Sequence, residues 1–243
     1  MPGLNKKNRA KYVMRMFSRI SGRYDLLNTI MSAGRHYAWR KQAVKIIDSQ
    51  ADGKALDIAT GTGDFAIELA SHPKTTYVVG IDFASRMIPI AQDKTRVQNQ
   101  TKIIEYLVGD AHSLPFKDDS FLFVTIGFGV RNFMDLNLAL KEIYRVLVDD
   151  GKLIVLEIIR ADEKHLMTKI LNLGFKYITP WLGLLFAQDR EAYTYLPESV
   201  SGFLSASELC NVIENSGLKV DSYEKLGLGT VAIYKCSKNS KNS

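Results

Sequence analysis

With only two cysteines in 243 residues, Cys210 and Cys236, the chain has too few for a disulfide framework. Neither belongs to a CxxC or other ligand-spaced pair, so a structural zinc site is poorly supported, and no metal is expected. No apolar run reaches membrane-spanning length. The longest, Ile170 to Ala187, is interrupted by Asn172, Lys176, Thr179 and Pro180. The charged N-terminus has no continuous apolar stretch behind it and does not read as a secretory signal, so a cytoplasmic, reducing location is the default expectation. Histidine is scarce: His36, His72, His112 and His165 are dispersed, and none marks itself as a general base. No basic stretch is interleaved with aromatics, so nucleic acid is not the expected partner.

What is present is ordinary globular composition, 46% hydrophobic and 24% charged, enough for a real core. The net charge of +6 is scattered apart from Lys6, Lys7, Arg9 and Lys11 near the start and Lys235, Lys238 and Lys241 near the end. A solvated face is the first reading and transient contact with an anionic membrane surface the second. The length suits one α/β domain with an added cap; a homodimer is compatible with it.

From about Lys6 to Asp48 the pattern is helical, with Phe17, Ile20, Tyr24, Leu27 and Met31 on one apolar stripe. The period then changes. Short buried strands are expected at 54–59, 77–82, 103–108, 121–126 and 152–158, separated by helices near 65–71, 85–97 and 136–147. Such alternation predicts βαβ units in a doubly wound, mostly parallel sheet. An apolar helical region follows at 164–187, then a helix from Ser205, where Ser205 and Glu208 form a capping box, and two strands near 219–225 and 230–235 that bring the sheet to seven.

The chemistry concentrates at strand ends. In the loop Thr60-Gly-Thr-Gly-Asp, Gly61 and Gly63 permit a sharp turn and close approach of a ligand to backbone. Asp82 ends the second strand about twenty residues on, where a carboxylate can accept both hydroxyls of a ribose; capping the next helix is its plain alternative. Asp110 and Ala111 end the third strand, placed to read an adenine edge. Asp57 inside the first strand and Asp64 at the helix start would crowd a pyrophosphate but suit a sulfonium and an amino group. S-adenosylmethionine therefore fits better than NAD.

These motifs resemble the menaquinone/ubiquinone C-methyltransferases (UbiE/MenG). The likeness runs over nearly the whole chain: Phe17-Ser18 with Tyr24-Asp25 and Asn28, Trp39-Arg40-Lys41, Asp57 to Asp64, Ala111 to Phe116, Gly127-Phe-Gly-Val-Arg-Asn, Tyr144-Arg-Val-Leu, Glu157 and Tyr195-Leu-Pro-Glu-Ser. The resemblance implies a Rossmann-like S-adenosylmethionine-dependent fold, with cofactor contacts at Thr62, Asp82, Asp110 and Ala111. Some members carry serine where this chain has Gly127, and the glycine is more like the menaquinone branch. Asp149-Asp150 also replaces the family's Pro-Gly, and Pro197 departs from its Tyr-Leu-x-Glu-Ser pattern. The implied reaction is C-methylation of demethylmenaquinol, the last step of menaquinone biosynthesis, or of the related ubiquinone precursor. Another lipophilic phenol or a sterol is the alternative substrate. A dehydrogenase or a non-catalytic nucleotide-binding module is the more remote reading. The division is a helical cap at 1–48, a methyltransferase domain at 49–236 with a lid at 160–200, and a disordered tail at 237–243.

Methylating a quinol ring carbon requires an oxyanion beside it and exclusion of water. Arg131 is the leading candidate to hold the oxyanion, since guanidinium stays charged and donates in a fixed fork. Asn132 would orient the quinol oxygen or a water, and Tyr24 would reach the same oxygen from the cap. Each has a plain alternative: Arg131 an ion pair with a lid acid such as Glu198, Asn132 a helix cap, Tyr24 a place in the core. The apolar 170–187 region would line a prenyl-tail groove or touch the inner face of the membrane, or be an ordinary helix pair.

Overall fold

The structure is a computed structural model, and it describes residues 6–99, 103–160 and 190–239. Three N-terminal helices, α1 (Lys6–Ile20), α2 (Tyr24–Ser32) and α3 (Arg35–Lys45), precede an alternating series. That series runs β1 (Gly53–Ile58), α4 (Asp64–Ala70), β2 (Thr75–Asp82), α5 (Met87–Val97), β3 (Ile104–Val108), β4 (Phe121–Gly127), α6 (Leu136–Val146) and β5 (Leu147–Ile158). After the segment outside the described residues come α7 (Arg190–Ser201), α8 (Ala206–Glu214), β6 (Leu218–Leu226) and β7 (Val231–Lys238). The strands form one seven-stranded sheet in the order β3-β2-β1-β4-β5-β7-β6. Only β7 runs against its neighbours β5 and β6.

Strand order reverses between β1 and β4, the switch point at which open α/β sheets bind ligands. Both faces of the sheet are covered, which is why the last four residues of β1 are all buried instead of alternating. Leu56, Ile58, Val124 and Ile126 pack under α6 and α8, while Ala55, Val78 and Phe123 pack under α3, α4 and α5. Val13, Met16, Ile20 and Leu27 of the cap form a separate small core with Tyr195 of α7. The expected N-terminal stripe is real but folded: a 3-10 turn at Ser21–Arg23 breaks the helix between Ile20 and Tyr24.

Ser205 caps α8 by the expected reciprocal box with Glu208. At Asp149-Asp150, where a Pro-Gly turn was the family expectation, Asp150 itself takes the left-handed φ of 62°. The polar tail expected from Ser237 onward is corrected at its start, because β7 continues through Lys238. The Lys238 ammonium is buried against Asp119 Oδ1 and the Leu147 carbonyl, both at 2.6 Å, so its charge and donors are satisfied in place. The central part of the expected lid, 161–189, and with it the apolar 170–187 region, lies outside the described residues.

Candidate active site

At the C-terminal ends of β1 and β4 the chain turns abruptly. Ala59 and Phe128, each just past its strand, adopt left-handed φ of 55° and 59°, a costly conformation for residues with a Cβ. Gly61 and Gly63 follow with φ of 56° and 84°. The loops touch: a Cβ added at Gly129 would lie 2.6 Å from that of Ala59. This strained rim closes over a cavity of about 430 Å³, large enough for a nucleoside-sized ligand.

Asp82 sits in its wall. Its Oδ2 accepts from Gly61 N and its Oδ1 from Ala84 N, both at 2.7 Å, so the backbone aims the carboxylate while each oxygen keeps a second lone pair. Burial raises its pKa, and those two amides oppose the shift. Gly61, Asp110, Ala111, Asn132 and Tyr24 line the same cavity, with Phe83, Met87 and Leu138 as apolar walls. Asp110 Oδ1 accepts from His112 N at 3.0 Å and from His112 Nδ1 at 2.5 Å.

The remaining cofactor candidates lie behind this wall. Asp57 is fully buried; its oxygens accept from Thr60 Oγ1 at 2.6 Å and from Thr125 Oγ1 at 2.7 Å. Burial nevertheless pushes its pKa up to about 6. Thr62 is also buried, its hydroxyl donating to Asp25 Oδ1 at 2.6 Å and accepting from Lys94 Nζ at 3.1 Å. Lys94 also meets Asp25 Oδ2 at 2.7 Å and Asp64 Oδ1 at 2.6 Å. Burial alone would lower the Lys94 pKa, but these two acids hold it above its ordinary value. The network fastens the cap to the glycine loop. Gly63 is required by packing as well as by φ, since a Cβ there would meet Tyr106 Oη at 2.5 Å.

Arg131 faces away from Asn132. It is buried beside a second cavity of about 300 Å³, lined mainly by apolar residues such as Met16, Ile20, Met31, Trp39 and Leu196. Its Nη1 donates to Glu157 Oε1 at 2.7 Å and to the Phe128 carbonyl, while Glu157 Oε2 accepts from Arg131 N at 3.2 Å. Its ion-pair partner is thus the fully buried Glu157 of β5 instead of the suggested Glu198. Among the described residues Arg131 Nε is buried with no hydrogen-bond partner. Desolvation works against the guanidinium charge, but Glu157, with Tyr24 and Tyr195 beside it, raises the pKa overall.

Asn132 does not cap the next helix: Asp135 does, accepting from Leu138 N, and Asn132 Oδ1 instead accepts from Tyr195 Oη at 2.9 Å. Tyr24, with Phe17 and Phe128, belongs to the walls of both cavities, and burial raises its pKa.

Sequence reasoning missed Glu157 as the counter-charge to Arg131 and His112 as the partner of Asp110. Glu157 offered one signal, an acid inside an otherwise apolar strand, which requires a buried partner.

A glycine loop at a switch point, an aimed strand-end carboxylate and a deeply buried acid behind the loop fit a nucleoside with a cationic end. Fold and site together define a Rossmann-like methyltransferase that uses S-adenosylmethionine. The family model described as the ubiE/COQ5 methyltransferase family matches residues 5–238. Demethylmenaquinone methyltransferase of Thermotoga maritima is 39% identical over 92% of this chain and 95% of its own length. The Porphyromonas gingivalis protein of the same name is 38% identical over 90% and 89%. The chain belongs to the ubiE/COQ5 methyltransferase family.

Among solved structures, a SAM-dependent methyltransferase from Aquifex aeolicus superposes with TM-score 0.59 at 17% identity, covering 82% of this chain and 88% of that one. The [4+2]-cyclase SpnF gives 0.65 at 16% identity over 84% and 80%. A cyclase on the same fold shows that the fold alone does not set the reaction.

Proposed function

We propose that the protein methylates a ring carbon of demethylmenaquinol. The observation that carries this reading is the second cavity, apolar yet lined by a buried guanidinium, and separated from the nucleoside cavity by Tyr24. A lipophilic ring with an ionisable oxygen matches that combination. The names of the relatives agree with it.

Asp82 would hold the ribose hydroxyls of S-adenosylmethionine, Asp110 and Ala111 its adenine, and Gly61 would let the backbone approach it. Thr62 and Gly63 would act from behind, by shaping the loop, with Asp57 as the negative charge facing the cationic end. Once bound, this cofactor supplies an electrophilic methyl group on a positively charged sulfur.

The Arg131 guanidinium, on the wall of that cavity, would hold the quinol oxygen next to the reacting carbon and favour its ionised form. Glu157 keeps the guanidinium fixed, so the new oxyanion would be met by a group already in place. Tyr24, its pKa raised, stays a phenol that can donate to the same oxygen but cannot take its proton. Asn132, on the wall of the nucleoside cavity, would act on the quinol site through Tyr195, which lines the second cavity. The apolar walls exclude water, which favours a step in which anion and cation neutralise each other.

A prenylated substrate resides in a membrane, and among the described residues no helix is long and apolar enough to cross one. Leu228, 71% exposed at the β6–β7 turn and on the edge of the second cavity, supports a transient contact there with the inner membrane surface.

The test is transfer of a labelled methyl group to demethylmenaquinol, to the ubiquinone-pathway precursor and to a sterol in parallel. The expected result is label in demethylmenaquinol. Label only in the sterol would overturn the assignment.

A further inference from the structure

The loop after β3 contains a histidine that none of the chemistry above uses. His112 Nε2 lies 3.1 Å from the backbone N of Asp135, twenty-three residues on, at the start of α6. An amide N–H can only donate, so Nε2 is the acceptor and the ring proton of the neutral imidazole sits on Nδ1. That proton points at Asp110 Oδ1, 2.5 Å away. His112 N donates to the same oxygen. Both contacts fall on Oδ1, which leaves Oδ2 to accept from a ligand. Phe133 packs edge-on against the ring, 5.9 Å between centroids.

A histidine that merely closed the turn after β3 would need only its backbone contact with Asp110. This one spans two loops at the mouth of the nucleoside cavity, and Asp110, His112, Asn132, Phe133 and Asp135 all line that cavity. Asp135 follows Asn132 and Arg131 by three and four residues, so the imidazole ties the carboxylate of one loop to the segment that carries both candidate substrate contacts.

We propose that His112 is a positioning residue that fixes the Asp110 carboxylate for the exocyclic amino group of adenine and couples it to the Arg131–Asn132 loop. This rests on the placement of adenine at Asp110. Occupancy of the nucleoside site then settles the loop that meets the quinol.

The two arms separate by substitution. His112→Asn keeps a donor where Nδ1 stands and loses Nε2; His112→Gln carries an acceptor towards Asp135 and loses the Asp110 contact. Calorimetry with S-adenosylhomocysteine on the full chain should show near-normal affinity for His112→Asn and a loss of about tenfold for His112→Gln, one hydrogen bond to a charged group. The KM for quinol should rise in His112→Asn and hold in His112→Gln. Nitrogen-15 spectra of the unsubstituted protein should show Nδ1 protonated and Nε2 bare, a readout that no folding defect can imitate. A proton on Nε2, or normal nucleoside affinity in His112→Gln, would overturn the proposal. Asp110→Asn separates the two readings. If it leaves the affinity unchanged, the adenine placement fails. If it weakens binding while the His112 variants do not, only the role of His112 fails.

Discussion

The two cavities that meet at Tyr24 are built in opposite ways. The nucleoside cavity takes its polar groups from consecutive βαβ units, with Asp82 and Asp110 each at or just past a strand end and each aimed by a local amide. The rear cavity draws on α1 to α3, the turn at Val130–Asn132, α7 and the β6–β7 turn, and its one charge is balanced across twenty-six residues by Glu157. The first therefore takes its polar groups from the fold and only part of its apolar wall from the cap, whereas the second exists only when cap, sheet and α7 are assembled. Variants on the two sides should separate stability and turnover from cofactor binding.

The largest effect is expected at the rear. Glu157→Ala leaves the Arg131 guanidinium buried without its counter-charge and should lower the unfolding free energy by about 3–5 kcal/mol in urea titrations. Arg131→Met removes the charge while keeping bulk. It strands the fully buried Glu157 carboxylate in turn, so it should cost a similar amount of stability, while leaving affinity for S-adenosylhomocysteine intact and cutting turnover by about a hundredfold or more, as loss of one oxyanion donor does. Full turnover in Arg131→Met would break the division between the cavities. At the front, Asp82→Ala should weaken S-adenosylhomocysteine by about a hundredfold, the worth of two hydrogen bonds to a charged acceptor. Unchanged affinity by calorimetry would remove Asp82 from the ribose.

A smaller effect tests the rim itself. A Cβ at Gly127 would stand 2.7 Å from Phe65 Cδ1, and Phe65 is almost fully buried, so the glycine and the phenylalanine are a matched pair. Gly127→Ser should destabilise by about 1–3 kcal/mol through overpacking. Phe65→Leu in the same chain should return most of it. Additive losses in the double variant would show the two sites to be independent.

The contrast also explains what could be read from residues alone. Asp57, the glycine loop and Asp82 announce themselves because strand, loop and helix alternate at short separations, and the capping box at Ser205 is likewise a three-residue device. Arg131 was identifiable as a candidate, but its partner was not, since pairing with Glu157 depends on β4 and β5 lying side by side. His112 gave no signal because its distant partner is a backbone amide, which every residue but proline has. The terminus misled for a related reason: Ser237 and Lys238 look like solvated tail until Asp119 and the Leu147 carbonyl give the ammonium a buried seat.

The smallest expected effect lies behind the glycine loop, at Asp57. Burial raises its folded pKa to about 6, against 3.8 for a free aspartate, even though Thr60 and Thr125 both donate to it. Between those values the folded chain binds a proton that the unfolded chain does not. Its contribution is therefore fully present below about pH 4 and is lost as pH rises through 6. From pH 5 to pH 7 this one group should cost about 1 kcal/mol, a slope measurable in urea titrations and flattened in Asp57→Asn. A cation behind the glycine loop would reverse the preference by favouring the carboxylate. S-adenosylmethionine should thus release more protons on binding at pH 6 than S-adenosylhomocysteine, which lacks the sulfonium charge and keeps the amino-acid end, as calorimetry in buffers of different ionisation heat would detect. Equal release for the two would mean that the sulfonium sits away from Asp57.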